Sequence, residues 1–307
     1  MAATFNWDDL QAFLAIARTG RLTEAARSMS IEHTTLSRRI TRLEAALAMK
    51  LFDRRPTGYS LTADGEALVV RAEAIEATAV GILSNHADPR IALTGVVRLG
   101  APEAFGTYCL GGRIGELSRS YPGLMIELVA MPRAFSLSRR EADVAIALSR
   151  PPSGRLHAQK LTDYELGLYG CTAYLEAHGA PKDRADLIHH RFVGYIDDLV
   201  FAPELDYFSS TFPGIDPSVK ISNVITQMSA TLGGAGLCIL PCFMADRESS
   251  LRRVLPDTVR IMRTYWILCH SDMHNVPRIK VIMKFISEVV RDKRSMFLPA
   301  APMPAFG

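Results

Sequence analysis

Two guanidinium groups and a set of hydroxyls share one side of a short helical stretch. Leu36, Ile40, Leu43 and Leu47 fall within about 60° of one another on a wheel of 100° per residue. Thr34, Arg38, Thr41 and Arg42 lie opposite, with Thr35 on the flank, and that side holds no acid. Arg pairs bidentately with guanine, and Thr meets a thymine methyl or a phosphate, so the face suits the major groove of DNA. The same pattern also describes an ordinary solvated helix face. Leu51-Phe52 then returns to the core, and Asp53-Arg54-Arg55-Pro56-Thr57-Gly58-Tyr59-Ser60 is basic and turn-rich. That segment suits a β-hairpin whose arginines reach phosphate or the minor groove.

Other chemistries find little support. No G-x-S-x-G nucleophile elbow is present. His189-His190 and His270…His274 lack a third ligand at useful spacing, so no metal is expected. Gly233-Gly234-Ala235-Gly236 is followed by no Lys-Ser/Thr and preceded directly by no strand, unlike a phosphate loop. Cys238 and Cys242 invite a redox switch, but apolar surroundings without basic neighbours favour inert, buried thiols. The reading is of a non-enzyme without cofactor.

The elements that hold the Arg/Thr face begin with a helix carrying Leu10, Phe13, Leu14 and Ala17, stopped at Gly20. A short second helix follows, with Thr23 as N-cap and Leu22, Ala25, Ala26 and Met29 apolar. After Thr62, Leu68, Ile75 and Ile82 recur every seven residues, with Ala72 and Ala79 between them. This predicts a helix from about Ala63 to about Asn85, ended by Asp88-Pro89. Its seam packs either against a partner helix or onto its own domain.

Beyond Pro89, strand-like runs at Val96–Leu99, Met125–Val129, Val144–Leu148, Leu166–Tyr169, Phe192–Tyr195, Leu237–Leu240 and Tyr265–Leu268 alternate with helical stretches at Gly111–Ser120, Val224–Leu232 and Arg278–Arg291. Such alternation predicts an open, mostly parallel sheet with helices on both faces. Ligands of these sheets bind beyond the strand ends, at helix starts. Pro102, Glu103 and Thr107 after the first strand, Asn223 and Thr226 at a later helix start, and Arg133, Ser149 and Tyr195 are the effector candidates. Helix capping is the competing role for Glu103 and Asn223. Glu103 also opposes an anionic ligand, since it occupies the same positive dipole end.

The charge is asymmetric. Of 307 residues with a net charge of +3, the first sixty hold nine Lys/Arg against six acids, and the remainder is balanced at 26 of each. A polyanion partner for one end follows. Length and a 48% hydrophobic fraction fit about two globular domains and exclude disorder and collagen-like or coiled-coil composition. MAATFNWDDL has no basic start before an apolar run, so no secretory signal is expected. Val224 to Ala245 is uncharged, but it reads as helix, glycine turn and strand rather than as a membrane span. Five scattered cysteines suit a reducing cytoplasm.

Ala25-Ala26, Leu36-Ser37, Ile40, Leu43-Glu44, Leu47, Leu51-Phe52-Asp53-Arg54 and Leu61-Thr62 through Gly65 resemble the winged helix-turn-helix of LysR-type transcriptional regulators. His33 and Thr34 stand where that family usually has Gln and Pro, and Ala48 stands for a usual Gly. Tyr121-Pro122, Glu141 to Ile146 and Gly234 to Pro241 resemble the family's effector domain more loosely. The resemblance implies an α/β protein overall: a winged helix-turn-helix over 1–62, a linker dimerisation helix over 63–88, and an effector domain over 89–307. That domain would be two α/β lobes of periplasmic-binding-protein type, about 91–163 with 269–296 and about 164–268, before a loose tail at 297–307. Two strands near Asp163–Gly170 and Thr264–His270 would cross between the lobes.

The resemblance further implies a bacterial, cytoplasmic, nucleoid-associated regulator. Its partners would be double-stranded promoter DNA, a small effector, RNA polymerase and a second or further copies of itself, as homodimer or homotetramer. On this reading Thr34, Thr35, Arg38, Arg42 and His33 approach bases, and Ser37, Arg54 and Arg55 fix the backbone. Leu68, Ala72, Ile75, Ala79 and Ile82 pair the protomers. The reading from another class is a two-lobed solute-binding protein or enzyme with an accessory helix-turn-helix.

Overall fold

The computed structural model describes residues 6–55, 58–83, 93–131, 137, 141–151, 156–271 and 273–299. The chain divides into two compact units, Met1–Leu93 with Asn275–Pro277, and Thr94–His274 with Arg278–Gly307.

The first unit holds α1 (Trp7–Thr19), α2 (Leu22–Ser28), α3 (His33–Leu47), a hairpin of β1 (Phe52–Arg55) and β2 (Gly58–Leu61), and α4 (Ala63–Leu83). The Asn6 side chain accepts the Asp8 N–H at 3.0 Å to start α1. Gly20, at φ +67°, ends it and donates to the Ile16 carbonyl. Thr23 is not the N-cap of α2. Arg21 holds that position without a side-chain cap, while the Thr19 hydroxyl accepts the Arg21 N–H. Leu10, Phe13, Leu14, Ala25, Leu36, Ile40, Leu43 and Phe52 form one buried cluster. Each large member contributes roughly 1.5–3 kcal/mol.

The C-terminus of α3 reverses through Ala48 at φ +50° and ψ +37°. The Met49 N–H donates to the Glu44 carbonyl at 3.1 Å and the Ala48 N–H to the Ala45 carbonyl at 3.3 Å. The Glu44 carboxylate accepts the N–H groups of Leu51 (2.8 Å) and Phe52 (3.3 Å), which ties the helix to the start of the hairpin.

The Thr62 hydroxyl accepts the Gly65 N–H at 3.0 Å and caps α4. The predicted seam on α4 is only partly available to a partner. Ala72 is fully buried in the core of its own unit, and half-buried Leu68 packs on that core. The small Ala72 side chain lets α4 lie on α1, where Arg18 pairs with Glu76 and approaches Glu73 at 3.8 Å. Ile75 is 43% exposed and Ala79 half-buried, while the Ile82 side chain and Asp88-Pro89 lie outside the described residues.

The second unit is built on β3 (Gly95–Ala101), β4 (Leu124–Ala130), β5 (Val144–Ala147), β6 (Leu156–Cys171), β7 (Phe192–Gly194), β8 (Val219–Lys220), β9 (Leu237–Pro241), β10 (Leu251–Val254) and β11 (Arg260–His270). They order as β4-β3-β5-β11-β6-β9-β7-β8, with β10 on β6. β3 runs parallel to β4 and β5, and β7 to β8 and β9. The mostly parallel sheet of the sequence reading therefore holds only on the two sides. At the centre β6 and β11 pair antiparallel with each other, β11 with β5, and β6 with β9 and β10. These two strands cross from one lobe to the other. They are longer than the sequence suggested, pairing from Leu156↔His270 to Gly167↔Arg260 with a bulge at Tyr265/Trp266.

The helix Val224–Leu232 has the predicted limits, and Pro277–Asp292 differs from them by one residue at each end. The stretch from Gly111 is instead a helix Ile114–Ser120 preceded by Glu103–Phe105 and a π-type turn, Gly106–Gly111. A tail loose from 297 is also overturned. Phe297 is fully buried, its ring 5.2 Å from Phe243 and 6.1 Å from Phe105, and residues 300–307 lie outside the described ones.

Candidate functional site

The outer face of α3 carries exposed His33, Thr34, Arg38 and Arg42, with Thr35 and Ser37 half-buried at its margin. The three arginines of this helix have separate fates. Arg39 lies 3.3 Å from the Asp8 carboxylate. Arg42 grips Asp9 with two donors, its Nε at 2.6 Å from Oδ2 and its second nitrogen on Oδ1. Asp9 is 1% exposed, so Arg42 compensates a buried carboxylate of α1. The pair also raises the pKa of the Arg42 guanidinium, chiefly through its hydrogen bond to Asp9. Arg42 thus serves as a strut between α1 and α3, while its side chain stays 55% exposed on the outer face. Arg38 is exposed and makes no hydrogen bond or ion pair among the described residues. Arg54 and Arg55 lie in β1 of the hairpin, and their side chains are outside the described residues.

The second site lies where the two lobes of the sheet meet. Pro102, Glu103, Ala104 and Leu148 from one lobe face Tyr195, Phe201, Leu205, Tyr207, Val224 and Pro241 from the other. Tyr164, Leu166 and Tyr265 of the crossing strands complete a small, open cavity of about 40 Å³. The rings of Tyr164 and Tyr265 stack at 4.1 Å, and those of Tyr195 and Tyr207 meet edge-on at 6.3 Å. Burial pushes all four phenols well above their ordinary range, so they stay neutral. Burial likewise raises the Glu103 carboxyl.

Of the predicted effector residues, the cavity brings together Pro102, Glu103 and Tyr195. Thr107 and Ser149 are exposed and do not line it. Asn223 spends its side-chain oxygen on the Thr226 N–H at 2.8 Å, which is the capping role, and neither lines the cavity. Arg133 lies outside the described residues. Tyr164, Phe201, Tyr207 and Tyr265 were missed. They come from strands and loops far apart in the chain and carry no local motif.

Around these sites, all five cysteines are buried and reduced. Burial raises Cys238 to about 12 and Cys242 to about 11. The sequence reading gave Cys242 no basic neighbour, yet Arg253 lies near it; burial outweighs that charge. Among the described residues no cluster of three or more His, Cys, Asp or Glu could hold a metal ion, and no helix is long and apolar enough to cross a membrane.

Comparison with known proteins bears on both sites. Residues 7–66 match the family model described as "Bacterial regulatory helix-turn-helix protein, lysR family", and residues 91–291 match "LysR substrate binding domain". The chain belongs to the LysR family of bacterial transcriptional regulators. It is a LysR-type DNA-binding transcriptional regulator with an effector-binding domain, and not an enzyme. This LysR-type chain is 26% identical to the Mau operon transcriptional activator of Paracoccus denitrificans over 92% of its length and 96% of the relative's. It is 24% identical to the regulator CrgA of Neisseria meningitidis over the same shares. Among solved structures it resembles CrgA with a TM-score of 0.56 at 22% identity, over 93% of this chain and 99% of CrgA. A full-length point variant of OxyR from Pseudomonas aeruginosa gives 0.62 at 19% identity, over 94% of this chain and 98% of that one. Membership removes the reading as a solute-binding protein or enzyme with an accessory helix-turn-helix.

Proposed function

We propose that this LysR-type regulator binds promoter DNA through the outer face of α3, as an oligomer, and responds to a small effector held in the cleft between its lobes. The observation that carries the reading is the division of labour on α3. Arg39 and Arg42 are committed to aspartates of α1, while Arg38 stands free beside Thr34 and His33 on the exposed face. On this reading Arg38 reads a base, Thr34, Thr35 and His33 set its surroundings, and Ser37, Arg54 and Arg55 hold the phosphates.

Two copies are needed because one recognition helix meets few base pairs. Ile75, Ala79 and Ile82 are the part of α4 we assign to the partner, with Leu68 and Ala72 serving the domain's own core. Effector binding would favour one arrangement of the lobes and thereby one spacing of the DNA-binding units. Contact with RNA polymerase and residence on the nucleoid complete the proposal. The experiment is a salt-controlled DNA titration by fluorescence anisotropy, using the region upstream of the protein's own gene. Arg38→Ala should cost roughly 1–3 kcal/mol of specific binding and relax one operator position. Unchanged affinity and specificity would remove Arg38 from base reading.

A further inference from the structure

The cleft wall has a one-sided electrostatic character. Among its described residues Glu103 is the one acid, and the wall offers no Lys, Arg or His. Glu103 Oε2 is buried and has no hydrogen-bond partner. A buried carboxylate oxygen without a donor is costly, and the missing partner is a donor or a positive charge. Around it stand Tyr164, Tyr195, Tyr207, Tyr265 and Phe201. The rings of Tyr164 and Tyr265 stack on each other, and those of Tyr195 and Tyr207 meet edge-on. Four phenol rings and one phenyl ring thus bring π-systems, whose faces are negative, to the cavity wall. Leu148, Leu166, Leu205 and Val224 supply apolar wall. A carboxylate ligand would meet a like charge and ring faces with no described counter-ion.

We propose that the effector of this cleft is a small organic cation, its ammonium group seated between the Glu103 carboxylate and the tyrosine faces and its apolar remainder against the leucines. The assignment rests on the cleft being the effector site. Ring quadrupoles and a carboxylate both favour a weakly hydrated cation, and the gain grows as the site is dried. An amine with an N–H also gives Glu103 Oε2 the donor it lacks.

The test uses the full chain and three probes of matched shape and different charge: choline, its neutral carbon analogue tert-butylethanol, and the anion of tert-butylacetic acid. Calorimetric titration should give choline at least about tenfold tighter binding than the neutral analogue, with no saturable binding of the anion. Glu103→Gln should weaken choline about tenfold and leave the neutral analogue unchanged, and Tyr195→Leu should weaken choline in a chain that melts normally. Leu148→Trp, which fills the cavity, should abolish binding. Equal binding of the neutral analogue, or tighter binding of the anion that is lost in Arg133→Ala, overturns the cation and leaves the cleft as the effector site. Choline binding that survives Leu148→Trp overturns the cleft itself. No saturable binding of any probe up to about 100 mM overturns the proposal.

Discussion

Ala48 occupies a left-handed conformation, φ +50° and ψ +37°, at the exposed end of α3. Its Cβ costs about 1–2 kcal/mol there relative to glycine. Glycine gives back about 0.5–1 kcal/mol through the greater freedom of the unfolded chain. Ala48→Gly should therefore stabilise α3 and the turn into the hairpin by roughly 0.5–1 kcal/mol, while the Met49 N–H bond to the Glu44 carbonyl persists. Native-state hydrogen exchange reads this directly. The amides of Leu36 to Leu43 should exchange roughly two- to fivefold more slowly in the variant. Ala48→Val should move them the other way, because a β-branched residue tolerates positive φ poorly. Unchanged or faster exchange in Ala48→Gly, or no penalty in Ala48→Val, would refute the argument from backbone conformation.

Three further outcomes follow from the packing. Glu165 is 1% exposed; burial opposes its ionisation, but hydrogen bonds from Arg260 and Arg253 win and hold the carboxyl below its usual 4.5. A depressed carboxyl stabilises fully above its unfolded value and loses that contribution as pH falls through the folded one. The deficit of Glu165→Gln in urea unfolding, followed by Trp266 fluorescence in a Trp7→Phe background, should thus be large at neutral pH and shrink as the pH falls below 4.5. Cys109 and Cys238 are pushed to about 12, and Cys242 and Cys269 to about 11, by burial. Native protein should therefore show no fast reaction of these thiols with Ellman's reagent, whereas denatured protein should titrate all five. A Cβ at position 65 would sit 2.1 Å from the Leu51 carbonyl oxygen, so Gly65→Ala should destabilise the first unit by roughly 1–3 kcal/mol in a thermal melt.

What the sequence disclosed was short-range. The core stripe of α3, the hairpin after Leu51, the Gly20 stop and the helix Val224–Leu232 all express a period or a turn signal within a few residues. The fate of Arg42 was hidden, because a helical wheel shows where a side chain points and not what meets it. Nothing on the wheel showed that Asp9 of α1 is buried and meets this guanidinium. Heptad spacing on α4 could not separate partner from self, since Ala72 fits either seam. The cleft was half visible. Glu103 and Tyr195 follow strands, as ligand residues in α/β sheets do, whereas Tyr164 and Tyr265 meet only through strand register across about a hundred residues of chain.

The antiparallel crossing of β6 and β11 has a consequence for inheritance. Gly167 and Arg260 are register partners, so everything between them leaves and returns at one place on the sheet. One wall of the cleft, with Tyr195, Phe201, Leu205 and Tyr207, is thus encoded by a single uninterrupted stretch, and the Glu103 wall lies outside it. A gene conversion tract with ends at those two codons exchanges half of the binding surface in one event and leaves the DNA-reading end and the charged wall intact. Chimaeras cut there should fold, and a new ligand preference needs no coordinated mutation across the chain.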